Sequence, residues 1–368
     1  MHDVIVVGAG LAGVALARAL DEACVDVVVL ESRGRVGGRI FGHSTDHGRY
    51  DLGPAWIWPG MQPLVGAAVA EAGLAIYEQD DHGGFLFQDR TGAIQRLPHG
   101  FEQDPPSMRI AGGINALLEF HTQQLPSSRI RLNHRVTGLA VGSAAVTLDC
   151  ATPDGTCTLS ARHVALALPP RLIARLDFSP ALPEAIRRRF AAVPTWMAGH
   201  AKALAIYDRP FWRENGLSGA AISHIGPLAE LHDASLPGVT AEAALFGFFS
   251  WPAAMRAARQ ATLPASITAQ LAALFGPQGA KPRQLIVHDW ADEELTATHE
   301  DRVGPAQHPH YEPITLPEPW AGLVLASGSE SAPEFGGYLE GALAAAAAAA
   351  SRLLTPRSPH PGEPPTPR

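Results

Sequence analysis

Glycines and a glutamate near the start of the chain have the spacing of a dinucleotide-binding turn. Gly8, Gly10 and Gly13 follow a β-branched run at residues 3–7 and open an alanine-rich segment. In such a turn the first glycine makes the bend, the second lets backbone approach a pyrophosphate, and the third allows close helix–strand packing. Glu31 ends the next apolar run, where a carboxylate accepts both ribose hydroxyls and repels a 2′-phosphate. This pattern predicts a nucleotide site.

The elements around that turn read as a βαβ unit that opens the chain. Further on, proline-rich breaks separate amphipathic pieces from short alternating strands, and Asp154-Gly155 is a hairpin signal between two of them. Strands are predicted at residues 3–7, 25–30, 130–132, 136–141, 145–148, 156–159, 164–168, 202–207, 245–249 and 322–326, and helices from about 11 to 23, at 114–124, 183–192 and 341–354. The fold class is α/β (α+β, two domains).

Composition excludes several classes of function. The 368 residues carry a net charge of −8, which argues against a nucleic-acid partner. Three cysteines without CxxC spacing suggest reduced thiols in a cytoplasmic setting. No metal site is expected, because the pair His308 and His310 lacks further ligands. The apolar run at 342–350 is shorter than the roughly 20 residues that span a bilayer, so no membrane segment is expected.

The residues after Glu31 narrow the choice of nucleotide. Glu31, Gly37, Gly38 and Arg39 form an E-x-x-x-x-x-GG-R pattern that resembles the fingerprint of the flavin amine oxidase superfamily, which includes monoamine and polyamine oxidases. A second glycine pair brings more backbone to a pyrophosphate, and an arginine supplies a fixed charge with several donors. An NAD dehydrogenase does not need this second cluster.

The resemblance continues in order along most of the chain, through the segments 51–56, 109–113, 136–137, 326–331 and 336–342. It implies FAD as cofactor, with Glu330 at the sugar–phosphate chain and a helix N-terminus near Leu339 aimed at the flavin pyrimidine. The cofactor-binding residues that it implies are Gly8, Gly10, Leu11, Ala12, Gly13, Glu31, Ser32, Arg33, Gly37, Gly38, Arg39, Gly53, Pro54, Ala55, Trp56, Val136, Trp290, Gly328, Ser329, Glu330, Gly337, Tyr338 and Leu339.

The resemblance also implies two catalytic residues. Lys202, one of only two lysines, matches the lysine that reaches flavin N5 through a water, where a cation can orient water and help O₂ to accept electrons. Lys281, the other lysine, is expected to be a solvated loop residue. Tyr338 matches a tyrosine that forms one wall of an aromatic cage for the amine.

The opposite wall of that cage is missing from the sequence. Counting on from Trp290 without gaps reaches His299 and Glu300, neither of which is a cage tyrosine. Trp56, Trp290, His299 and Glu300 are therefore expected around the substrate. FAD is expected to be non-covalent, because the cysteine that links flavin in mitochondrial members is absent; a link through His299 is the alternative.

The implied architecture is monoamine oxidase-like, with a Rossmann-like FAD domain and a substrate domain built from a mixed sheet plus helices. Residues 1–60, 129–170 and 312–354 are assigned to the FAD-binding domain, 61–128 and 171–311 to the substrate-binding domain, and 355–368 to a disordered tail.

The expected reaction is oxidation of an amine C–N bond by hydride transfer to flavin N5, with imine hydrolysis and reduction of O₂ to H₂O₂. The expected partners are a small amine and O₂. Two alternatives stay open: a dehydrogenase or desaturase of a carbon skeleton, and a redox-silent flavin-binding protein. The sequence does not decide the amine or the oligomeric state.

Overall fold

The computed structural model describes residues 1–100, 103–304 and 307–355. The tail assigned to 355–368 lies, apart from Thr355, outside these residues. The strands, numbered in chain order, are β1 (His2–Val7), β2 (Val27–Leu30), β3 (Gly42–Thr45), β4 (Gly48–Asp51), β5 (Ile76–Glu78), β6 (Gly84–Gln88), β7 (Ile94–Leu97), β8 (Met108–Ile110), β9 (Ile130–Arg131), β10 (Arg135–Val141), β11 (Val146–Thr152), β12 (Gly155–Leu166), β13 (Asp177–Ser179), β14 (Ala201–Tyr207), β15 (Leu217–Ser223), β16 (Leu228–Asp233), β17 (Ala243–Phe249), β18 (Gln284–Asp289) and β19 (Val324–Ala326). The α-helices are α1 (Leu11–Glu22), α2 (Pro63–Glu71), α3 (Ile114–Gln123), α4 (Pro170–Ile173), α5 (Glu184–Ala192), α6 (Phe211–Glu214), α7 (Ala253–Ala258), α8 (Leu263–Phe275) and α9 (Leu339–Leu354).

The predicted βαβ unit forms the centre of the first sheet, whose order is β13-β10-β11-β12-β1-β2-β9, with β19 also paired to β12. β1 pairs in parallel with both β2 and β12. Every residue of β2 is buried, as expected for a parallel strand covered on both faces. The α/β fold class is confirmed.

The predicted hairpin at Asp154-Gly155 joins β11 to β12, with Thr152 opposite Gly155. The strands predicted at 156–159 and 164–168 are one continuous strand, β12. The reason is that β12 has two partners in succession: Ala161 lies opposite Val146 of β11 and opposite His2 of β1. The strand therefore passes from an antiparallel neighbour to a parallel one without a break.

The second sheet has the order β18-β14-β17-β16-β15-β6-β7. All seven residues of β14 are buried, and all of them except Lys202 are apolar or aromatic. β14 pairs antiparallel with β17 and with β18. Lys202 is therefore a buried charged side chain on an otherwise apolar strand.

The division into two domains and its boundaries stay a prediction, and the packing shows which sheet each segment contacts. α2 and α3 were assigned to the substrate domain, yet their apolar residues Val65, Ile114 and Leu117 join the core formed by β1, α1 and α9. Phe178 and Phe190, also assigned there, join the core on the other face of the first sheet. Amphipathic spacing predicts a buried face but not the sheet against which it packs.

Candidate active site

A cavity of about 610 Å³ is lined by residues from both sheets. The wall of this cavity includes the βα turn as well as Lys202 and Tyr338. Of the residues that the sequence assigns to the cofactor, those lining the cavity are Gly8, Gly10, Leu11, Ala12, Glu31, Ser32, Arg33, Gly37, Gly38, Arg39, Gly53, Pro54, Ala55, Trp56, Val136, Trp290, Gly328, Ser329, Glu330, Gly337, Tyr338 and Leu339.

Gly13 is the exception, because it lies behind the turn and not on the cavity wall. A Cβ at Gly13 would come within 1.9 Å of the Gly8 carbonyl oxygen. Gly8 itself has φ +103°, a left-handed value that favours glycine. At Gly10, by contrast, the nearest atom to such a Cβ is 3.9 Å away, so this backbone is open to a ligand. Gly13 serves packing, and Gly10 serves close approach.

Two further features make the turn suitable for a dinucleotide. α1 begins after Gly10 without a side-chain cap, which leaves N–H groups and the positive end of the helix dipole for phosphates. Glu31 is 4% exposed, and its carboxylate accepts hydrogen bonds from the Ala9 N–H (2.8 Å) and the Arg33 N–H (2.9 Å). These bonds fix the carboxylate at the cavity wall, where ribose hydroxyls can donate to it.

Arg39 and Glu330 join two sequence motifs that lie about 290 positions apart in the chain. Arg39 Nη1 lies 2.7 Å from Glu330 Oε1, and Arg39 Nη2 donates to Ser329 Oγ over 2.8 Å. The Glu330 side chain has no exposed surface. All three residues line the cavity, so the arginine offers a fixed positive charge that the neighbouring carboxylate partly balances.

Lys202 is 3% exposed and lies on the cavity wall. Its ammonium donates to the carbonyl oxygen of Gly53 over 2.6 Å and to that of Asp51 over 3.3 Å. The rings of Phe246 and Phe248 lie 4.7 and 5.1 Å from Nζ, within cation–π range. Burial lowers the pKa of Lys202 to about 7, although the Asp51 carboxylate acts in the opposite direction.

The carboxylate of Asp51 interacts electrostatically with the ammonium of Lys202. It is 5% exposed and accepts a hydrogen bond from the Ile114 N–H at the start of α3 (2.9 Å). Burial raises the pKa of Asp51 to about 6, while Arg109 and Lys202 act to lower it. The two residues therefore form a buried pair that titrates near neutral pH.

Tyr338 also lines the cavity, at the residue that precedes α9. Two rings pack against it: His308 stacks on it at 5.1 Å between ring centroids, and Trp196 lies at 6.3 Å. The Trp196 indole also contacts His308 at 4.9 Å. This packing restrains the tyrosine ring, and burial raises the pKa of its hydroxyl, so the ring is neutral at physiological pH.

Trp56 and Trp290 complete the aromatic wall. The Trp290 indole N–H donates to the Leu52 carbonyl oxygen over 3.1 Å, which ties β18 to the segment carrying Gly53. The Trp56 indole N–H donates to Gln79 over 2.9 Å. Both indoles are held by a hydrogen bond from the ring N–H, and both residues line the cavity.

His299 and Glu300 do not belong to the site, and their assignment to the substrate pocket is corrected. Both are exposed and neither lines the cavity. They lie in a 3₁₀ turn (His299–Arg302) that is fixed by a capping box between Thr298 and Asp301. Glu300 points to Arg175 at 3.6 Å. His299 is therefore also unsuited to a covalent link with a flavin in the cavity.

Several residues that line the cavity were not predicted from the sequence, chiefly Trp196, Met197, His200 and Phe248. Met197 has φ +62°, an uncommon value for a residue with a side chain, and it bends the loop before β14 along the wall. Phe248 lies directly opposite Lys202 on β17. Strand alternation could have found Phe248 once the two strands were paired, whereas no local signal marks the loop.

The fold and site define a dinucleotide-binding oxidoreductase with a second, mixed-sheet layer over the cofactor cavity. The chain belongs to the flavin-containing amine oxidoreductase family, whose pattern it matches over residues 101–354. Residues 6–72 match an NAD(P)-binding Rossmann-like domain. The open backbone at Gly10, the uncapped α1 and the ribose carboxylate fit FAD. The chain is thus an FAD-dependent amine oxidoreductase.

Curated relatives support this assignment. A putative flavin-containing monoamine oxidase of Mycobacterium tuberculosis is 26% identical over 457 aligned positions, which cover 95% of this chain and 96% of that protein. A probable flavin-containing monoamine oxidase A of Dictyostelium discoideum is 27% identical over 68% of this chain, and that match spans 53% of the Dictyostelium protein. The first alignment is longer than the 368 residues here, so this chain lacks segments that the mycobacterial protein has.

Solved structures share the fold. Wild-type putrescine oxidase bound to putrescine superposes with a TM-score of 0.78 at 21% identity, covering 96% of this chain and 99% of that one. Within the described residues, no group of three or more His, Cys, Asp or Glu side chains could hold a metal ion. None of the helices described combines the length and apolarity needed to cross a bilayer.

Proposed function

We propose that this protein oxidises the C–N bond of a small amine and transfers the electrons to O₂. FAD held at the βα turn, Glu31 and Arg39 would supply a hydride acceptor, its N5 atom, for the carbon beside the amine nitrogen, and a route for the electrons to O₂ with H₂O₂ as product. The observation that carries the proposal is the buried ammonium of Lys202 on the wall of the cofactor cavity. Burial of a charged side chain costs folding free energy, and such groups are concentrated at functional sites.

The chain's own residues bind, orient and supply charge. Lys202, held by two carbonyl oxygens, keeps one N–H free to orient a water for hydrolysis of the imine product. Its positive charge stabilises negative charge that develops as O₂ is reduced. Tyr338 and Trp290 present ring surfaces that hold the neutral amine and exclude water from it.

We further propose a substrate with a single amino group. Among the residues that the structure describes, four carboxylates line the cavity, and none of them pairs with Lys202. Glu31 is bonded to the βα turn and Glu330 to Arg39. The other two lie by β10: Glu294 is 3.6 Å from Arg135, and Asp177 lies opposite Gly138. A second ammonium group would therefore find an aromatic wall and no counter-charge.

Anaerobic bleaching of the flavin tests both the proposed amine oxidation and the proposed preference for a substrate with one amino group. Benzylamine and hexylamine should reduce the flavin, and admission of air should restore the yellow colour with one H₂O₂ per turnover. Putrescine and spermidine should reduce it at least about tenfold more slowly, since an unpaired ammonium in an apolar wall costs well over 1.4 kcal/mol. Faster reduction by the diamines would overturn the single-amine proposal alone.

The same experiment separates the alternatives. A dehydrogenase or desaturase would be bleached by its substrate but would recolour slowly in air and form little peroxide. A redox-silent flavoprotein would not be bleached by any amine in the panel. A cytoplasmic location is part of the proposal, supported by three cysteines that are all free, and cell fractionation tests it.

A further inference from the structure

Two of the three cysteines face each other on neighbouring strands. Cys150 on β11 lies directly opposite Cys157 on β12 in the antiparallel register. Cys150 is 1% exposed and Cys157 is partly exposed, and the Cys150 thiol interacts with the Cys157 side chain. Neither residue lines the cofactor cavity or takes part in the proposed chemistry.

The geometry of an antiparallel pair suits a covalent bond between these residues. Directly opposed residues have Cα atoms about 4.5–5.5 Å apart. Disulfides bridge Cα separations of about 4.4–6.8 Å. The turn at residues 153–154 closes the same pair of strands only three residues away from Cys150, so the register cannot slip and the two Cβ atoms project to the same side.

We propose that Cys150 and Cys157 form a reversible disulfide across β11 and β12 when the protein meets hydrogen peroxide. The Cys157 thiolate attacks one peroxide oxygen, the O–O bond breaks, and Cys157 becomes a sulfenic acid while water leaves. The Cys150 sulfur then attacks the Cys157 sulfur, the S–O bond breaks, and a second water leaves. Two thiols and one peroxide give one disulfide and two waters.

The order of the two steps follows from burial. Cys157 is the thiol that peroxide can reach, whereas Cys150 is enclosed and resolves the sulfenic acid. Burial raises the pKa of Cys150 to about 12; Cys157 and Asp149 act in the same direction, and Arg131 acts against them. Because the thiolate is the nucleophile, closure should accelerate as pH rises toward that value.

The position of the pair connects it to the cofactor cavity. On its other side Cys150 lies opposite Val136 of β10, and Val136 lines the cavity. A strand bulge follows at once, between Val136 and Gly138. Peroxide formed in the cavity under the proposed function would therefore be released two strands away from Cys157, the thiol that it can reach.

The disulfide proposal can be tested on the full-length protein in the absence of any amine substrate. We would treat it with a small excess of H₂O₂ at pH 7 and pH 9, block remaining thiols with iodoacetamide, and map peptides by mass spectrometry with and without reduction. The expected result is a Cys150–Cys157 cross-link, about 2 Da lighter than the two thiols, which dithiothreitol reverses and which forms faster at pH 9.

Cys24→Ser is the matched control, because Cys24 is exposed on a distant turn and its loss should leave the cross-link unchanged. Cys157→Ser should keep Cys150 in the thiol form at all times. The proposal is overturned if wild-type Cys157 passes to sulfinic or sulfonic acid while Cys150 stays free, or if either residue links only to Cys24. These readouts are independent of amine oxidation, so they stand or fall separately from the proposed function.

Discussion

The ammonium of Lys202 donates to the carbonyl oxygen of Gly53 over 2.6 Å, which joins the centre of the second sheet to the segment that lines the cofactor cavity. Lys202 comes from β14, whereas Gly53 follows β4, and the two are about 150 positions apart in the chain. The bond fixes one N–H of the lysine and leaves its charge beside two phenylalanine rings. The cation is thus held in place before any substrate arrives.

The first prediction concerns the pH dependence of flavin reoxidation. Lys202 is protonated below its pKa of about 7 and loses its charge as the pH rises through that value. Reoxidation by O₂ should therefore be fastest in mildly acidic solution and fall above about pH 7, far below the usual range of lysine. Stopped-flow measurement of reoxidation between pH 5.5 and 9 checks this; a rate that stays constant to pH 9 would contradict it.

Asp51→Asn should move that midpoint to lower pH. The Asp51 carboxylate favours the charged lysine, and asparagine removes the charge while keeping an oxygen that can accept from the Ile114 N–H. We expect a shift of about one pH unit, which corresponds to about 1.4 kcal/mol. The matched control is Asp46→Asn on an exposed turn, which should leave the profile in place. An unchanged midpoint in Asp51→Asn would show that the two groups are uncoupled.

Glu31→Gln should weaken FAD binding. The carboxylate is held by two backbone N–H groups and is positioned to accept from ribose hydroxyls. Replacing a charged acceptor costs about 1.5–3 kcal/mol, so the dissociation constant should rise about 10- to 150-fold. Flavin fluorescence on dilution measures the released cofactor. Glu78→Gln, at an exposed strand position, should bind FAD as the wild type does.

Tyr338→Ala and Tyr338→Phe should behave differently. Phenylalanine keeps the ring that His308 and Trp196 support, so KM for the amine should change less than about threefold. Alanine removes the wall, and KM should rise about tenfold or more. Steady-state kinetics on both variants separates a ring contact from a hydroxyl contact. Equal increases in KM for the two variants would assign the role to the hydroxyl.

The sequence allowed prediction of those parts of the site whose geometry depends on a few neighbouring residues. The glycine spacing at residues 8–13 specifies one turn, and the structure contains that turn with Glu31 at its edge. Lys202 was singled out by its match to the family's lysine and by the scarcity of lysine in the chain, and its side chain is indeed buried. Such features depend on a few consecutive residues, so their physical causes can be read without knowing the rest of the fold.

The second wall of the substrate site could not be found in the same way. Counting forward from Trp290 led to His299 and Glu300, which face solvent. Counting assumes a fixed number of residues between sites, yet the chain lacks segments that its mycobacterial relative has. Trp196 and Phe248 reach the cavity through strand pairing and loop shape, which are tertiary features.

The measurement that tests the account most directly is the double-mixing experiment on Lys202→Met. Flavin is first reduced anaerobically with benzylamine and is then mixed with oxygenated buffer. With FAD still bound, we expect reoxidation to slow by about 100-fold or more, because the fixed charge that stabilises reduction of O₂ is gone. Lys281→Met, at an exposed position, should reoxidise at the wild-type rate. Wild-type reoxidation in Lys202→Met would contradict the central role of this lysine.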